Sequence, residues 1–212
     1  MTSVTDLVST INADQPLLVV DADEVLLRFV EHLESYFLDN GFELRLTSFQ
    51  LTGNIYDQAT GVAASPTVVK DLIGGFFDER VDSVPAVPGA ADALRSLSDR
   101  YQIAVLTNVP HHCRARREAA LHDMGFKYPV LSNAGEKGPA MQALEQATKG
   151  HTVFVDDLPP QLASVAKHAP DVHLVHFVAD PRLAALIDKA EHAHVRIDAW
   201  PELRSHLHSL QV

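Results

Sequence analysis

The chain has 212 residues, 46% of them apolar and 21% charged, which is the make-up of a globular protein with room for one sizeable core. Acidic residues outnumber basic ones 28 to 17, and the net charge of −11 argues against a general nucleic-acid binder. It leaves an anionic small molecule possible, since a metal and one or two local cations can reverse the potential inside a cleft. No apolar run is long enough to span a membrane and no basic, apolar leader opens the chain. With one cysteine, Cys113, no internal disulfide can form, and a cytoplasmic location is expected. The 12 histidines show no HExxH or Cys/His zinc spacing and are read mostly as surface or helix-end residues, among them His192, His194, His206 and His208.

Residues 1–15 read as a short leading helix or loop. Leu17-Leu18-Val19-Val20 is then a strand buried on both faces, which ends at Asp21-Ala22-Asp23-Glu24. Residues 28–40 have apolar positions at helical spacing, with Gly41 as a stop signal. From Phe42 to about Ser83 the pattern predicts two or three more helices and no strand, one of them Pro66 to Arg80 with Pro at its first turn. An α/β rhythm resumes at Val87-Pro88-Gly89. Helices at 90–98, 112–124, 137–149, 159–168 and about 181–192 alternate with strands at 102–106, 128–131, 152–155 and 173–177. A short 195–197 segment and a helix from Trp200 close the chain. Alternation of this kind implies a parallel sheet with right-handed crossovers. The predicted fold is an α/β three-layer, Rossmann-like core, residues 1–27 and 84–212, with a small α-helical cap, residues 28–83, inserted after the first strand.

Three of these strands stop at residues of catalytic type. The first delivers Asp21 and Asp23, the second Thr107, the third Asp156 and Asp157, while Lys137 opens the helix before the third. Ligands of open α/β sheets bind at this edge. Two carboxylates two residues apart on an extended strand end can address one point, and they repel unless a cation or proton intervenes. Carboxylates without Cys or His suit a hard cation, Mg²⁺ where phosphate is handled. Thr107 can donate to an anionic oxygen and Lys137 can neutralise developing charge. One carboxylate can attack phosphorus while a second shuttles the proton, so the residues point to phosphoryl transfer through an aspartyl-phosphate.

The order Asp-x-Asp-x-Val, Thr, Lys, Asp-Asp resembles the haloacid dehalogenase (HAD) superfamily over residues 17 to about 165. The resemblance implies Asp21 as nucleophile and Asp23 as general acid/base whose backbone carbonyl reaches the metal. It implies Thr107 and Lys137 as phosphate-binding groups, Asn108 as a neighbour of the phosphate, and Mg²⁺ held by Asp21, Asp23, Asp156 and Asp157. Asp157 is the expected direct ligand and Asp156 the second or outer one. Asp23 favours phosphate over halide, because the dehalogenase members lack this second acid. Two departures stand out: Glu24 replaces the frequent Gly after the second Asp, and Gln161 occupies a position commonly Asp or Asn.

The implied function is Mg-dependent hydrolysis of a small phosphorylated metabolite, with no nucleic acid or membrane as partner and the oligomeric state open. The alternatives are a phosphotransferase or mutase of the same fold and a catalytically weak binding protein. Arg28, Arg45, Tyr56, Lys70 and Arg80 are candidates for a second anionic group on the substrate, and His111, His112 and Arg114 for the rim of the site. Cys113 lacks an assigned base and reads as a small helix residue.

Overall fold

The computed structural model describes residues 3–211; Met1, Thr2 and Val212 lie outside the described residues, and with them the ends of the predicted leading segment and core. Six elements follow the leading helix α1 (Val4–Val8) in the first 97 residues: β1 (Leu17–Val20), α2 (Phe29–Asp39), β2 (Phe42–Leu44), β3 (Ile55–Asp57), α3 (Pro66–Arg80) and α4 (Ala90–Leu97). The remainder alternates: β4 (Gln102–Thr107), a 3₁₀ turn at His111–Cys113, α5 (Arg114–Asp123), β5 (Val130–Ser132), α6 (Gly138–Glu145), β6 (Thr152–Asp156), α7 (Pro159–His168), β7 (His173–His176), α8 (Pro181–Ala184), β8 (Val195–Arg196) and α9 (Trp200–Ser209).

Six strands form one parallel sheet in the order β5-β4-β1-β6-β7-β8, with β1 between β4 and β6. All four β1 residues are buried, and the two-residue period assigns them to opposite faces. Leu18 and Val20 pack with Leu94, Leu121, Trp200 and Leu203, the face covered by α4, α5 and α9. Leu17 and Val19 pack with Leu7, Met141, Leu144, Leu162 and Val165, the face covered by α1, α6 and α7. This is the three-layer α/β core predicted from the alternation. Each such Leu or Val contributes roughly 1.5–3 kcal/mol on leaving water, which is why an uninterrupted apolar run settles at the sheet centre.

The segment between β1 and α4 differs from its all-helical expectation. β2 and β3 pair antiparallel, Phe42 opposite Asp57 and Leu44 opposite Ile55. Three-residue strands carry too little period-two signal to be seen in sequence. The loop between them is ordered by the buried Asn54 side chain. Its Oδ1 accepts from the Thr47 hydroxyl at 2.7 Å, and its Nδ2 donates to the Ser48 and Gln50 carbonyls at 2.8 and 2.7 Å. α2 and α3 meet through Phe29, Tyr36, Phe76 and Phe77, with Phe29 edge-on to Phe76 at 5.3 Å between ring centroids. Gly75 leaves room at that contact, since a Cβ there would lie 2.5 Å from the Tyr36 hydroxyl and displace it.

Two helices are shorter than predicted. α6 ends at Glu145, and the helix expected over 181–192 stops at Ala184. Beyond it, the Arg196 guanidinium donates to the carbonyls of Ala184 and Ile187, satisfying backbone acceptors that a longer helix would use. The connections into and out of the inserted segment run side by side, Arg28 N–H donating to Pro85 O and Val87 N–H to Leu26 O.

Candidate active site

Parallel pairing in register brings the predicted site residues to one edge of the sheet. Val20 aligns with Val105 and Val155, so Asp21, one residue on, stands beside Asp156, and its N–H donates to Val155 O at 2.9 Å. The next residues leave the strand in a tight turn in which Ala22 O accepts from both Leu26 and Leu27 N–H. Asp21, Asp23, Glu24, Thr107, Asn108, Lys137 and Asp157 line one cavity of about 270 Å³. Asp156 lies directly beneath it, fully buried.

Lys137 is the electrostatic hub. Its Nζ is 2.7 Å from Asp21 Oδ1 and 2.7 Å from Asp156 Oδ2, and the two carboxylates hold it well above the usual lysine range despite burial. The other Asp156 oxygen accepts from Leu158 N–H at 2.8 Å, so both of its oxygens are engaged. Asp157 is different: among the described residues no side chain or backbone N–H donates to its carboxylate. Burial, with Asp156, Asp21 and Glu24 nearby, pushes it well above the normal range. Oxygens of Asp21, Asp156 and Asp157 lie within 4.8 Å of one another. Three buried carboxylates sharing one lysine are short of positive charge, and an all-oxygen donor set of this kind fits a hard divalent cation.

Asp23 has a separate environment. Its Oδ1 is 3.0 Å from Arg117, a fully buried arginine on α5. The contact is a charge pair without hydrogen-bond alignment, and the guanidinium nitrogens find no other partner. Burial raises the Asp23 pKa to about 6, against the pull of Arg117. The Thr107 hydroxyl is likewise buried, faces the cavity and has no partner. Asn108 is fixed by donation to Gly135 O at 3.0 Å and acceptance from Asn133 at 2.9 Å.

Both departures from the familiar pattern have structural work. Glu24 is the only non-glycine residue with positive φ, +58°, among the described residues. Its buried carboxylate accepts from Val30 N–H at 2.7 Å and from Asp180 N–H at 2.9 Å, pinning the first turn of α2 and the loop after β7 to the turn that carries Asp23. Gln161 accepts from Lys137 N–H at 2.8 Å and donates to Gly135 O at 3.1 Å, so it anchors the loop that delivers the lysine.

Arg117 and His176 were missed in the sequence. Arg117 sits in an Arg-Ala-Arg-Arg run that reads as a solvated helix face. His176 is fully buried, accepts from Ala190 N–H through Nδ1 and therefore donates through Nε2 to Asp157 O at 3.0 Å, which fixes that backbone. No sequence signal marks it.

The remaining candidates lie elsewhere. Arg28 pairs with Glu31, Arg45 with Glu43 while stacking on Tyr56, and Arg80 with Asp39; none of these, nor exposed Lys70, lines the cavity. His111 contacts Ser132, His112 pairs with Asp78, and Arg114 pairs with Glu118. Cys113 is buried with its thiol pushed up by desolvation, which makes it unreactive.

No family model and no curated protein matches the chain in sequence. Solved structures do match in shape. A HAD family hydrolase from Deinococcus radiodurans, with bound phosphate and sodium, superposes with TM-score 0.60 at 19% identity, covering 92% of this chain and 96% of that one. A candidate beta-phosphoglucomutase from Thermotoga maritima gives 0.58 at 16%, covering 93% and 100%. A candidate HAD hydrolase from Bacillus subtilis, bound to magnesium, gives 0.61 at 13%, covering 94% and 100%. The fold is that of the haloacid dehalogenase superfamily. Among the described residues no helix is long and apolar enough to cross a membrane.

Proposed function

We propose that this chain is a divalent-metal-dependent phosphohydrolase for a small phosphomonoester whose leaving group presents an apolar face. The carrying observation is the cavity itself: an acid–lysine cluster, an unpartnered Thr107 hydroxyl and an unbonded Asp157 carboxylate on its floor, with Phe29, Val30, Phe49, Leu51, Phe77 and Leu183 above. Residues 28–83 act as the cap that supplies most of this apolar lining.

Thr107 and Lys137 donate to the phosphoryl oxygens, and Asn108 borders them. The Asp21 carboxylate attacks phosphorus as the bond to the leaving oxygen breaks, and the Asp23 carboxyl gives that oxygen its proton. Near its pKa of about 6, Asp23 is available in both protonation states. As the base it then takes a proton from the water that attacks the aspartyl-phosphate, releasing phosphate and restoring Asp21. Asp21 and Asp157, with the Asp23 backbone carbonyl, would hold Mg²⁺, and Asp156 would stand behind them on Lys137. When bound, the cation supplies charge compensation for the phosphoryl oxygens.

The same chemistry could pass the phosphoryl group to a sugar, as the name of the Thermotoga protein suggests for that protein. An acceptor sugar needs hydrogen-bonding groups from the cap, and the apolar lining offers none, which favours water. A reducing, cytoplasmic setting suits the single buried cysteine. The decisive test is hydrolysis of an aryl phosphate with Mg²⁺, compared with sugar phosphates. Wild type should turn over the aryl ester in preference, EDTA should stop it, and Asp21→Asn should be inactive. Full activity in Asp21→Asn would overturn the nucleophile assignment.

A further inference from the structure

A second, larger trough adjoins the active-site cavity, and the proposed chemistry leaves it unused. Its volume is about 560 Å³, against about 270 Å³ for the cavity, and Phe49, Leu51 and Leu158 belong to the walls of both. On the core side the wall is the start of α7, where Pro159-Pro160 follows Leu158. On the other side are the β2–β3 loop and Ile73 of α3, with Ile187 beyond α8. The chain from Asp157 to Pro160 spans at most ~11 Å, so the trough begins close to the carboxylate cluster.

The lining argues for an apolar occupant. In a chain with 21% charged residues, none of the described residues around the trough is charged, and Gln50 and Thr52 are its only polar side chains. Leu158 stands 38% exposed one residue from Asp157. A single exposed leucine needs no explanation, but this one joins half-buried Phe49, Leu51, Ile73 and Ile187 around one space, the mark of a binding groove. The walls are also built to hold their shape. Asn54 Nδ2 donates to the carbonyls of Ser48 and Gln50, on either side of Phe49, at 2.8 and 2.7 Å. Phe49 and Ile187 rest on the apolar cluster of Val30, Val178 and Leu183, and Val30 and Leu183 also line the inner cavity. Pro159 and Pro160 have fixed φ and little freedom to lose. A wall already in place costs little ordering entropy when a ligand arrives.

We infer that this trough seats the tail of the leaving group, so that the substrate is the phosphomonoester of an elongated aliphatic alcohol. The inference rests on the phosphohydrolase reading of the acid–lysine cluster. With the phosphoryl group at Asp21, Thr107 and Lys137, the carbon chain would pass between Phe49, Leu51 and Leu158 into the trough. A compact alcohol would occupy the inner cavity alone. A polyhydroxy tail would leave its hydroxyls unpaired against these walls, and a charged one would find no counter-ion. Phe49, at the junction, is the only aromatic residue of the described lining, so an aromatic tail has no further ring to stack on. Each methylene withdrawn from water strengthens binding by up to about fourfold, the equivalent of ~0.8 kcal/mol.

The test is kcat/KM with Mg²⁺ for n-alkyl phosphates from ethyl to octyl, kept below micelle-forming concentrations. Calorimetric binding of the matching n-alkyl phosphonates, which cannot be hydrolysed, reads the trough without turnover. Wild type should gain about two- to fourfold per methylene in both measurements and level off once the trough is full. Ile73→Glu and Pro160→Glu put a carboxylate into the trough from positions outside the inner cavity. Checked for folding by circular dichroism, both should cut the octyl-to-ethyl ratio by about 10-fold or more. Val62→Glu, at a residue 64% exposed and outside the trough, should keep the wild-type ratio. Phosphonate affinity that rises with chain length in a protein that turns over no ester would overturn the hydrolase reading and keep the trough. A length dependence flat in both measurements, or folded Ile73→Glu and Pro160→Glu proteins with the wild-type ratio, would overturn the trough; turnover of an aryl phosphate would then leave the hydrolase reading standing.

Discussion

Glu24 allows a quantitative test of how the turn that carries Asp23 is tied to its surroundings. Glu24→Ala leaves Val30 N–H and Asp180 N–H without acceptors. Each unsatisfied buried donor costs ~1–3 kcal/mol, so the loss at pH 6 should be about 2–6 kcal/mol. At ~2–4 °C per kcal/mol for a domain of this size, a mid-range loss lowers Tm by roughly 8–16 °C. Alanine also keeps the left-handed backbone at φ +58°, whereas Glu24→Gly is free of that strain and should recover about 1 kcal/mol. Burial raises the Glu24 pKa from its ordinary 4.5 to about 7. The folded state therefore binds the proton more tightly than the unfolded one, and wild-type stability falls as pH climbs through that window, by up to ~3 kcal/mol at ~1.4 kcal/mol per unit. Both variants lack this slope, so their deficit should narrow between pH 6 and pH 8. Urea unfolding at the two pH values reads all three terms. Alanine as stable as glycine would refute the strain argument, and a deficit that widens with pH would refute the burial argument.

Lys137→Met removes the shared counter-charge of Asp21 and Asp156; turnover of an aryl phosphate should drop ~100-fold or more, and near-normal kcat would remove the lysine from the mechanism. Asp157→Asn relieves like-charge crowding, so the metal-free protein should gain stability while Mg²⁺-dependent activity is lost; thermal melts with and without Mg²⁺ check both signs. Arg117→Met strands Asp23 in a buried site, which should cost about 3–5 kcal/mol and raise the Asp23 pKa further, moving its limb of the kcat/KM pH profile upward. An unmoved profile in a folded Arg117→Met protein would mean that Arg117 has no influence on the acid.

The central strand was legible because Leu17–Val20 is apolar without alternation, which only a strand covered on both faces can bury. Asp21, Thr107, Lys137 and Asp157 were legible for a related reason: in a parallel sheet the C-terminal strand ends converge, so chain order and strand position alone bring these residues to one edge. The β2–β3 hairpin was hidden by its three-residue strands, and the early end of α8 by the Arg196 side chain that captures its carbonyls.

The sequence by itself determined the alternating core and which acidic, hydroxyl and lysine side chains stand at or beside its strand ends, since periodicity and strand ends are local properties of the chain. Only the tertiary structure decided which charges meet. Arg117 and Arg114 read alike in sequence, yet one is buried against Asp23 and the other pairs with Glu118 on its own helix. Glu24 became a clamp and Gln161 a support for Lys137 through partners 156 and 24 residues away. His173 on β7 and His206 on α9 looked like scattered surface residues until helix packing set their Nε2 atoms 3.1 Å apart, within hydrogen-bond distance. Contacts of that kind depend on which elements pack together, and no local pattern encodes them.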